Sequence, residues 1–482
     1  MISIKQHIRA ITLLGIPLIV GQLGATVQQF VDTAMVGAYG TLELSAAGFV
    51  CNVFNLVIFF LLGISYSTTP VVGACFGRQD FLGVAKALRE SLITGVTVSL
   101  LLVVALLVLN VNIEILGQPE EIIPLAKPYF LTMILSLPFL AVFNSLKQFS
   151  DALGQTQLPM WVMLWANVLN ILLNWMLIFG VEVSGNTLLE PLGLLGAGIA
   201  TLSARVFMAL AMVLLVYRRE SYSACRGDFN ALLLLARKDV LDEEQRGIVL
   251  SGKARKCSMP DREGLWRMTR IGIPISLQMC LEAASFNVCA IFMGWIGSKE
   301  IAAHQIMCTI STLNFLVMYG IGAAAAVRVS QFRGREEWME VRRTAYVAFG
   351  MGVCWFLVIS TVICLGIYPL TALFTHDVEV TAIVVSLLVP FVAYQVGDCM
   401  QIMFANVLRG IECVKIMMGA AFVAYILVSI PLSYFFAFEM GWGAVGVWCG
   451  MPFGLTLAGA LFFWEFNRQT RMRIRQLNRW KR

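Results

Sequence analysis

The sequence predicts an all-α polytopic membrane protein, with twelve transmembrane helices in two parallel-repeat six-helix lobes around a central cavity. Three observations carry that reading. Of 482 residues, 59% are hydrophobic and 13% charged, and the mean hydropathy is +0.80, whereas a soluble domain carries about a quarter charged residues. Twelve stretches are apolar enough to cross about 30 Å of hydrocarbon, for which about 20 residues each are needed. The third observation is that the first half of the chain is repeated in the second.

The expected spans are 11–36, 46–72, 88–110, 124–146, 160–181, 192–217, 266–293, 302–327, 345–368, 381–407, 415–438 and 442–466. The first follows Lys5 and Arg9 much as a signal peptide would, but it is too long and is interrupted by Gln22, Gln28, Gln29 and Asp32. Its place is that of the first span. If the N-terminus is cytoplasmic, 32 of the 35 Lys and Arg fall in cytoplasmic segments, leaving Lys127, Arg205 and Lys299. Positive residues resist export, so an even number of spans with both termini inside is expected. Acids such as Glu114, Glu120, Glu121, Glu182 and Glu190 occupy the outer loops.

A shift of 257 residues lays Gly15-Ile16-Pro17 on Gly272-Ile273-Pro274, Gly37 on Gly294, Gly40 on Gly297, Gly63-Ile64 on Gly320-Ile321 and Gly77-Arg78 on Gly334-Arg335, with 15 identities in 66 positions. Each repeat holds six spans, an even number, so both halves enter the membrane in the same orientation, a transporter arrangement. The expected organisation is an N-lobe at 1–217, a cytoplasmic linker at 218–264, a C-lobe at 265–467 and a basic cytoplasmic tail at 468–482. The linker mixes ten basic with eight acidic residues around an amphipathic stretch at 229–241, the pattern of a solvated tether. The tail, with seven basic residues and no acid, suits an anchor touching anionic membrane lipid.

Several functions are excluded. The net charge of +6 is scattered, so no nucleic-acid partner is expected. Most of the twelve Cys lie inside apolar runs, and no CxxC spacing occurs; they read as small buried hydrophobes. Only His7, His304 and His376 exist, and HExxH, GxSxG and Walker-type motifs are missing. An intramembrane enzyme would need a nucleophile with its base or a metal cluster, and neither is visible, so no enzyme and no cofactor are expected.

Ionisable groups within the bilayer are costly and mark functional sites by default. Three carboxylates qualify: Asp32 on the first span, Glu282 on the seventh and Asp398 on the tenth. Asp32 shares its helix with a polar stripe of Gln22, Thr26, Gln29 and Thr33, spaced as one helical face. Glu282 has Gln278, Ser285 and Cys289 at helical spacing, and Asp398 has Tyr394, Gln395 and Gln401. Under the repeat, Asp32 aligns with Cys289 and Glu282 with Ala25, so the acids are not a relic of duplication. Asn167, Asn170 and Asn174 share one face of span five and suit either the N-lobe cavity or interhelical hydrogen bonds. Arg205 and His304 read as structural residues. Pro17, Pro138, Pro274, Pro390 and Pro431 are candidate bends.

With these residues in place, the chain resembles the multidrug and toxic compound extrusion (MATE) family over its whole length. The resemblance rests on Gly15-Ile16-Pro17, Phe30 to Gly37, Ala302-Ala303-His304-Gln305, Tyr394 to Asp398, Leu408-Arg409-Gly410 and the segment from Asn170 to Gly180. The acidic triplet Asp32, Glu282 and Asp398 looks like the NorM-like branch; the DinF-like branch has an acid on span five, where this chain has Asn174. The resemblance implies an antiporter of the inner or plasma membrane, exporting amphipathic, often cationic drugs or toxic organic cations in exchange for Na+ or H+ by alternating access. It implies that Glu282 and Asp398 hold the coupling ion, a metal site if that ion is Na+, assisted by Gln278, Tyr394 and Gln395. Asp32, with Gln29, Asn170 and Asn174, would serve substrate or proton in the N-lobe. A monomer is expected. The alternative is a flippase for a lipid-linked sugar or other lipid-like substrate, which would need a cationic cavity.

Overall fold

The computed structural model describes residues 2–183, 186–228 and 259–480, with 230, 245 and 249 between them; side chains at 182–188 and 478–480 are outside the described set. The amphipathic stretch expected at 229–241 therefore lies outside it, Asn230 excepted.

Among the described residues, twelve helices are long and apolar enough to cross a membrane: Ile4–Tyr39, Thr41–Gly77, Phe81–Val111, Ile123–Ala152, Gln157–Phe179, Gly193–Arg218, Arg262–Ile296, Ser298–Gly334, Trp338–Leu365, Leu388–Gly410, Lys415–Glu439 and Gly443–Leu477. They are called spans one to twelve below. Apart from spans five, nine and ten, each contains its expected segment almost entirely and most extend past it by several residues, because polar residues at helix ends continue the backbone hydrogen bonding beyond the apolar stretch. Span twelve shows this most: its helix runs on through the basic tail as far as Trp480. Span nine ends at Leu365, short of 368, and span ten begins only at Leu388, the residues from 381 belonging to a separate helix, Val378–Ser386. Span five stops at Phe179 and is followed by a short antiparallel hairpin, Val181–Val183 with Asn186–Leu189.

The candidate bends divide into three kinds. Pro138 and Pro390 each sit in the first turn after a break, at Ser136 in span four and at Leu387 before span ten; the missing proline N–H is no loss there. Pro431 lies between two π-helical stretches, Phe422–Ser429 and Phe435–Glu439. Pro17 and Pro274 lie inside continuous helices.

Spans two, four, eight and ten end in the same way. A residue with left-handed φ follows each, at Gln79 (62°), Gly154 (82°), Glu336 (60°) and Glu412 (59°). The next amide turns back to the carbonyl five residues earlier: Asp80 to Cys75, Gln155 to Ser150, Glu337 to Phe332 and Cys413 to Leu408, at 2.9–3.0 Å. These are Schellman-type stops, and Gln79 and Glu336 are 257 residues apart, the offset of the sequence repeat. Other ends are capped by carboxylates. Asp80 accepts from the Gly83 amide before span three, and Asp261 from the Gly264 amide before span seven. Asp261 also pairs with Lys86, which together with that amide holds its carboxyl below the usual range.

The chain forms two compact units, one of Val20–Ser276 and one of Met1–Ile19 with Leu277–Arg482. Their boundaries fall inside spans one and seven, at positions 257 residues apart. In the first unit, the start of span seven lies against span two: a Cβ on Gly63 would come within 2.4 Å of Ser276 Cα, and Ser276 Oγ donates to Phe60 O. In the second unit, the start of span one lies against span eight, where a Cβ on Gly320 would meet the Ile19 side chain. Gly63 is the repeat partner of Gly320 and Ser276 that of Ile19, so one helix crossing is built twice. Small residues permit such close approach. The core of the Val20–Ser276 unit is Phe54, Leu61, Phe130, Ile134 and their neighbours. In the other unit, span ten packs against span twelve around Phe391, Phe404, Trp448, Phe462 and Phe466.

Candidate functional site

In the unit containing Leu277–Arg482, Glu282 and Asp398 belong to one buried polar cluster. Span seven places Gln278 one turn before Glu282, and its amide donates from Nε2 to Glu282 Oε2 at 2.7 Å. The same oxygen accepts from Gln401 Nε2 of span ten at 3.1 Å. Gln278 in turn accepts, at Oε1, from Arg409 Nη2 at 2.7 Å, so a guanidinium reaches Glu282 through one intervening amide. Asp398 is 1% exposed, its Oδ2 is buried without a hydrogen-bond partner, and the charge of Glu282 acts on it. Gln395 is fully buried; it accepts from Asn314, which accepts from Trp355 Nε1 at 2.8 Å, while Gln395 Nε2 is left without a partner. Tyr394 packs against Phe286, Phe391 and Trp448. Tyr425, in the π-helical part of span eleven, is in electrostatic contact with Glu282, Asp398 and Tyr394.

The unpartnered buried Asp398 Oδ2, with the second carboxylate of Glu282 and the buried Gln401 Oε1 and Tyr425 hydroxyl, makes a set of hard oxygen donors. That chemistry suits a proton or an alkali cation rather than a soft metal. Among the described residues no three His, Cys, Asp or Glu converge as a metal-binding group, so any cation here would depend on the two acids and neutral oxygens.

In the Val20–Ser276 unit, Asp32 Oδ1 accepts from Asn174 Nδ2 at 2.6 Å, and that nitrogen also lies 3.2 Å from Asn170 Oδ1. Asn170 and Asn174 are fully buried. On its own helix Asp32 is bonded by Gln28, four residues back. Gln29, assigned to the cavity from the sequence stripe, is exposed; a one-residue rotation of the polar face about the helix separates the two. Arg205 donates to Ser136 Oγ at 2.6 Å and lies over the Phe54 ring at 5.3 Å. His304 packs edge-on against Trp448, with Cys308 beside it.

Three features were not anticipated. Lys147 and Arg409, counted among cytoplasmic flanking charges, are buried, at 9% and 8% exposed, because each finds a polar partner inside its unit. Lys147 pairs with Asp151 at 3.1 Å in the last turns of span four. His7, ahead of the expected first span, is fully buried against Glu340 at 3.0 Å and Thr344 at 3.2 Å. The i, i+4 spacing of Lys147 and Asp151 was the one local signal available; the other partners are hundreds of residues apart.

The sequence model of the MatE family matches residues 17–176 and again 274–435, two segments that begin at repeat-related prolines and together cover more than half of the chain. The chain belongs to the MatE family. It is 29% identical over 466 residues to a probable multidrug resistance protein NorM of Bradyrhizobium diazoefficiens, covering 95% of this chain and 92% of the relative. In fold it matches an outward-facing multidrug resistance MATE family transporter of the MOP superfamily, with TM-score 0.81, 20% identity and coverage of 97% and 96% of the two chains. The eukaryotic MATE transporter AtDTX14 gives TM-score 0.78 at 18% identity, with 98% and 99% covered. Within this MatE chain, Asp32 thus stands in one unit, and Glu282 and Asp398 stand together in the other.

Proposed function

We propose that this MatE-family protein is a secondary active multidrug efflux antiporter, exporting amphipathic, often cationic compounds in exchange for Na+ or H+ by alternating access. The observation that carries the ion-coupled part of this reading is Asp398, a carboxylate buried beside Glu282 with one oxygen lacking any hydrogen-bond partner. A buried acid without a counter-charge is unstable in hydrocarbon, so the resting site favours binding of a small cation. The NorM name of the relatives supports the multidrug part. In the proposed cycle, ion binding at Glu282 and Asp398, and drug binding near Asp32, Asn170 and Asn174, favour opposite conformations. Coupling then follows from differential affinity for the two states. The distribution of Lys and Arg supports cytoplasmic termini, and the proposed location is an inner or plasma membrane. The flippase alternative is disfavoured because the buried clusters each hold acids with a single arginine, a poor match to a pyrophosphate.

Na+ and H+ would use the same two carboxylates, so each should displace the other. Titrating purified protein with Na+ at several pH values is expected to show affinity falling as pH falls. Asp32→Asn should impair drug export by about tenfold, a coupling change within the usual range, while leaving that competition intact. Equal Na+ affinity at acid and alkaline pH, or loss of Na+ binding in the Asp32 variant, would contradict this division of labour.

A further inference from the structure

The two polar clusters differ in how their fixed charges balance. Asp32 lies within electrostatic reach of Arg205, so the Val20–Ser276 unit sets one acid against one cation. Arg205 is held in place by Ser136 and by the Phe54 ring. In the other unit two acids share one cation. Arg409 is joined to Glu282 through Gln278, and its charge acts on Glu282. Asp398 feels the like charge of Glu282, and among the described residues no cation acts on it. Its Oδ2 and the nearby Gln395 Nε2 are both buried without partners. These two side chains are 1% and 0% exposed, so water outside the fold does not satisfy them.

The repeat does not impose this imbalance. Neither Glu282 nor Asp32 has an acidic counterpart at the shift of 257. Arg409 is permanently charged, as guanidinium groups are, and its hydrogen bond fixes which way the Gln278 amide points. With the carbonyl turned to Arg409, the amino group is presented to Glu282. Arg409 is thus a positioning residue for Gln278 as well as a counter-charge for Glu282.

Building on the ion-coupling reading above, we propose that Arg409 limits the site of Glu282 and Asp398 to one coupling charge per cycle: it cancels one of the two acids, so that Asp398 alone needs a positive charge from outside, supplied by one monovalent cation or one proton. Removing Arg409 would leave both Glu282 and Asp398 uncompensated, and the site would then draw in two positive charges.

The test is the charge displaced when reconstituted protein on a solid-supported membrane meets a rapid jump in Na+ or in H+. Arg409→Gln is expected to displace about twice the charge of the wild type and to reach half-saturation at about tenfold lower ion concentration, since the attraction of an unpaired second acid is strong at low effective dielectric. Arg409→Lys, which keeps the charge, is expected to match the wild-type displacement. A merely structural role for Arg409 would not double the displaced charge. A folded, monodisperse Arg409→Gln protein with wild-type charge displacement would overturn the proposal while leaving the coupling-site reading standing. If that variant does not fold, the reversal potential of the wild type decides: one coupling charge per substrate supports the proposal and two overturn it. A wild type that displaces no charge with either ion would overturn the coupling-site reading and the proposal with it.

Discussion

Asp398→Asn and Glu282→Gln should each lower ion-driven efflux by about 100-fold, the loss of a coupling free energy of about 3 kcal/mol, while the protein still inserts and folds. The amides preserve volume and most hydrogen bonding but remove the charge that an ion must neutralise. At Asp398 the substitution removes a buried charge that no hydrogen bond at Oδ2 compensates, so the folded state does not depend on that charge. At Glu282 the amide would still accept from Gln278 or Gln401 through its carbonyl oxygen. The check is drug uptake into proteoliposomes, with resistance in cells scored at matched membrane expression. Full transport by both variants would remove these acids from the coupling machinery.

The second large effect concerns stability. Gly63→Ala should destabilise the protein by about 3 kcal/mol, the upper end of what overpacking costs. The new Cβ would lie 2.4 Å from Ser276 Cα and 2.5 Å from Ser276 N, backbone atoms that can move only with the helix. Alanine is the better helix former by about 1 kcal/mol, and the clash outweighs that gain. At the repeat-related position, Gly320→Ala meets Ile19 Cγ1 instead, at 2.3 Å. A side chain can change rotamer, so the cost should be smaller. Gly48, inside the same helix as Gly63, has nothing within 4 Å of a Cβ, so Gly48→Ala is the clash-free reference that shows the helix-propensity gain alone. Thermal unfolding in detergent, followed by loss of the monodisperse peak, should rank the three as Gly63 worst, Gly320 intermediate and Gly48 at or slightly above the wild type. Equal stability for Gly63→Ala and Gly48→Ala would refute the close helix crossing.

Much of the fold was legible because a membrane span depends on local composition. Twelve apolar stretches are twelve helices, and the glycines matched by the 257-residue shift prove to sit at equivalent crossings and equivalent helix stops. The hairpin after span five was missed, although Val181-Glu182-Val183 alternates and Gly185 marks a turn, because a short strand pair is a weak signal beside a long apolar helix. The acids were found for a simple reason: a charge inside an apolar stretch stands out. Their partners were found only when they lay one turn away on the same helix, as Gln278 does for Glu282. Arg409 is 131 residues from Gln278, and Gln401 is 119 from Glu282; such pairings arise from helix packing, which periodicity does not encode. Arg409 carried a second obstacle, since a basic residue near a span end looks like a cytoplasmic anchor until its burial is known. For Asp32, the sequence stripe named Gln29, whereas the side chain that bonds Asp32 on its own helix is Gln28, one position and about 100° away.

Whether an ion gradient drives this protein through Glu282 and Asp398 is decided by transport of a cationic dye in proteoliposomes, with Na+ and pH gradients imposed separately and then together. Uphill dye movement is expected with at least one gradient alone, with reversal of that movement when the gradient is reversed, and loss of both in Asp398→Asn. Dye movement that is independent of both gradients, or that persists uphill in Asp398→Asn, would contradict ion coupling through these two acids.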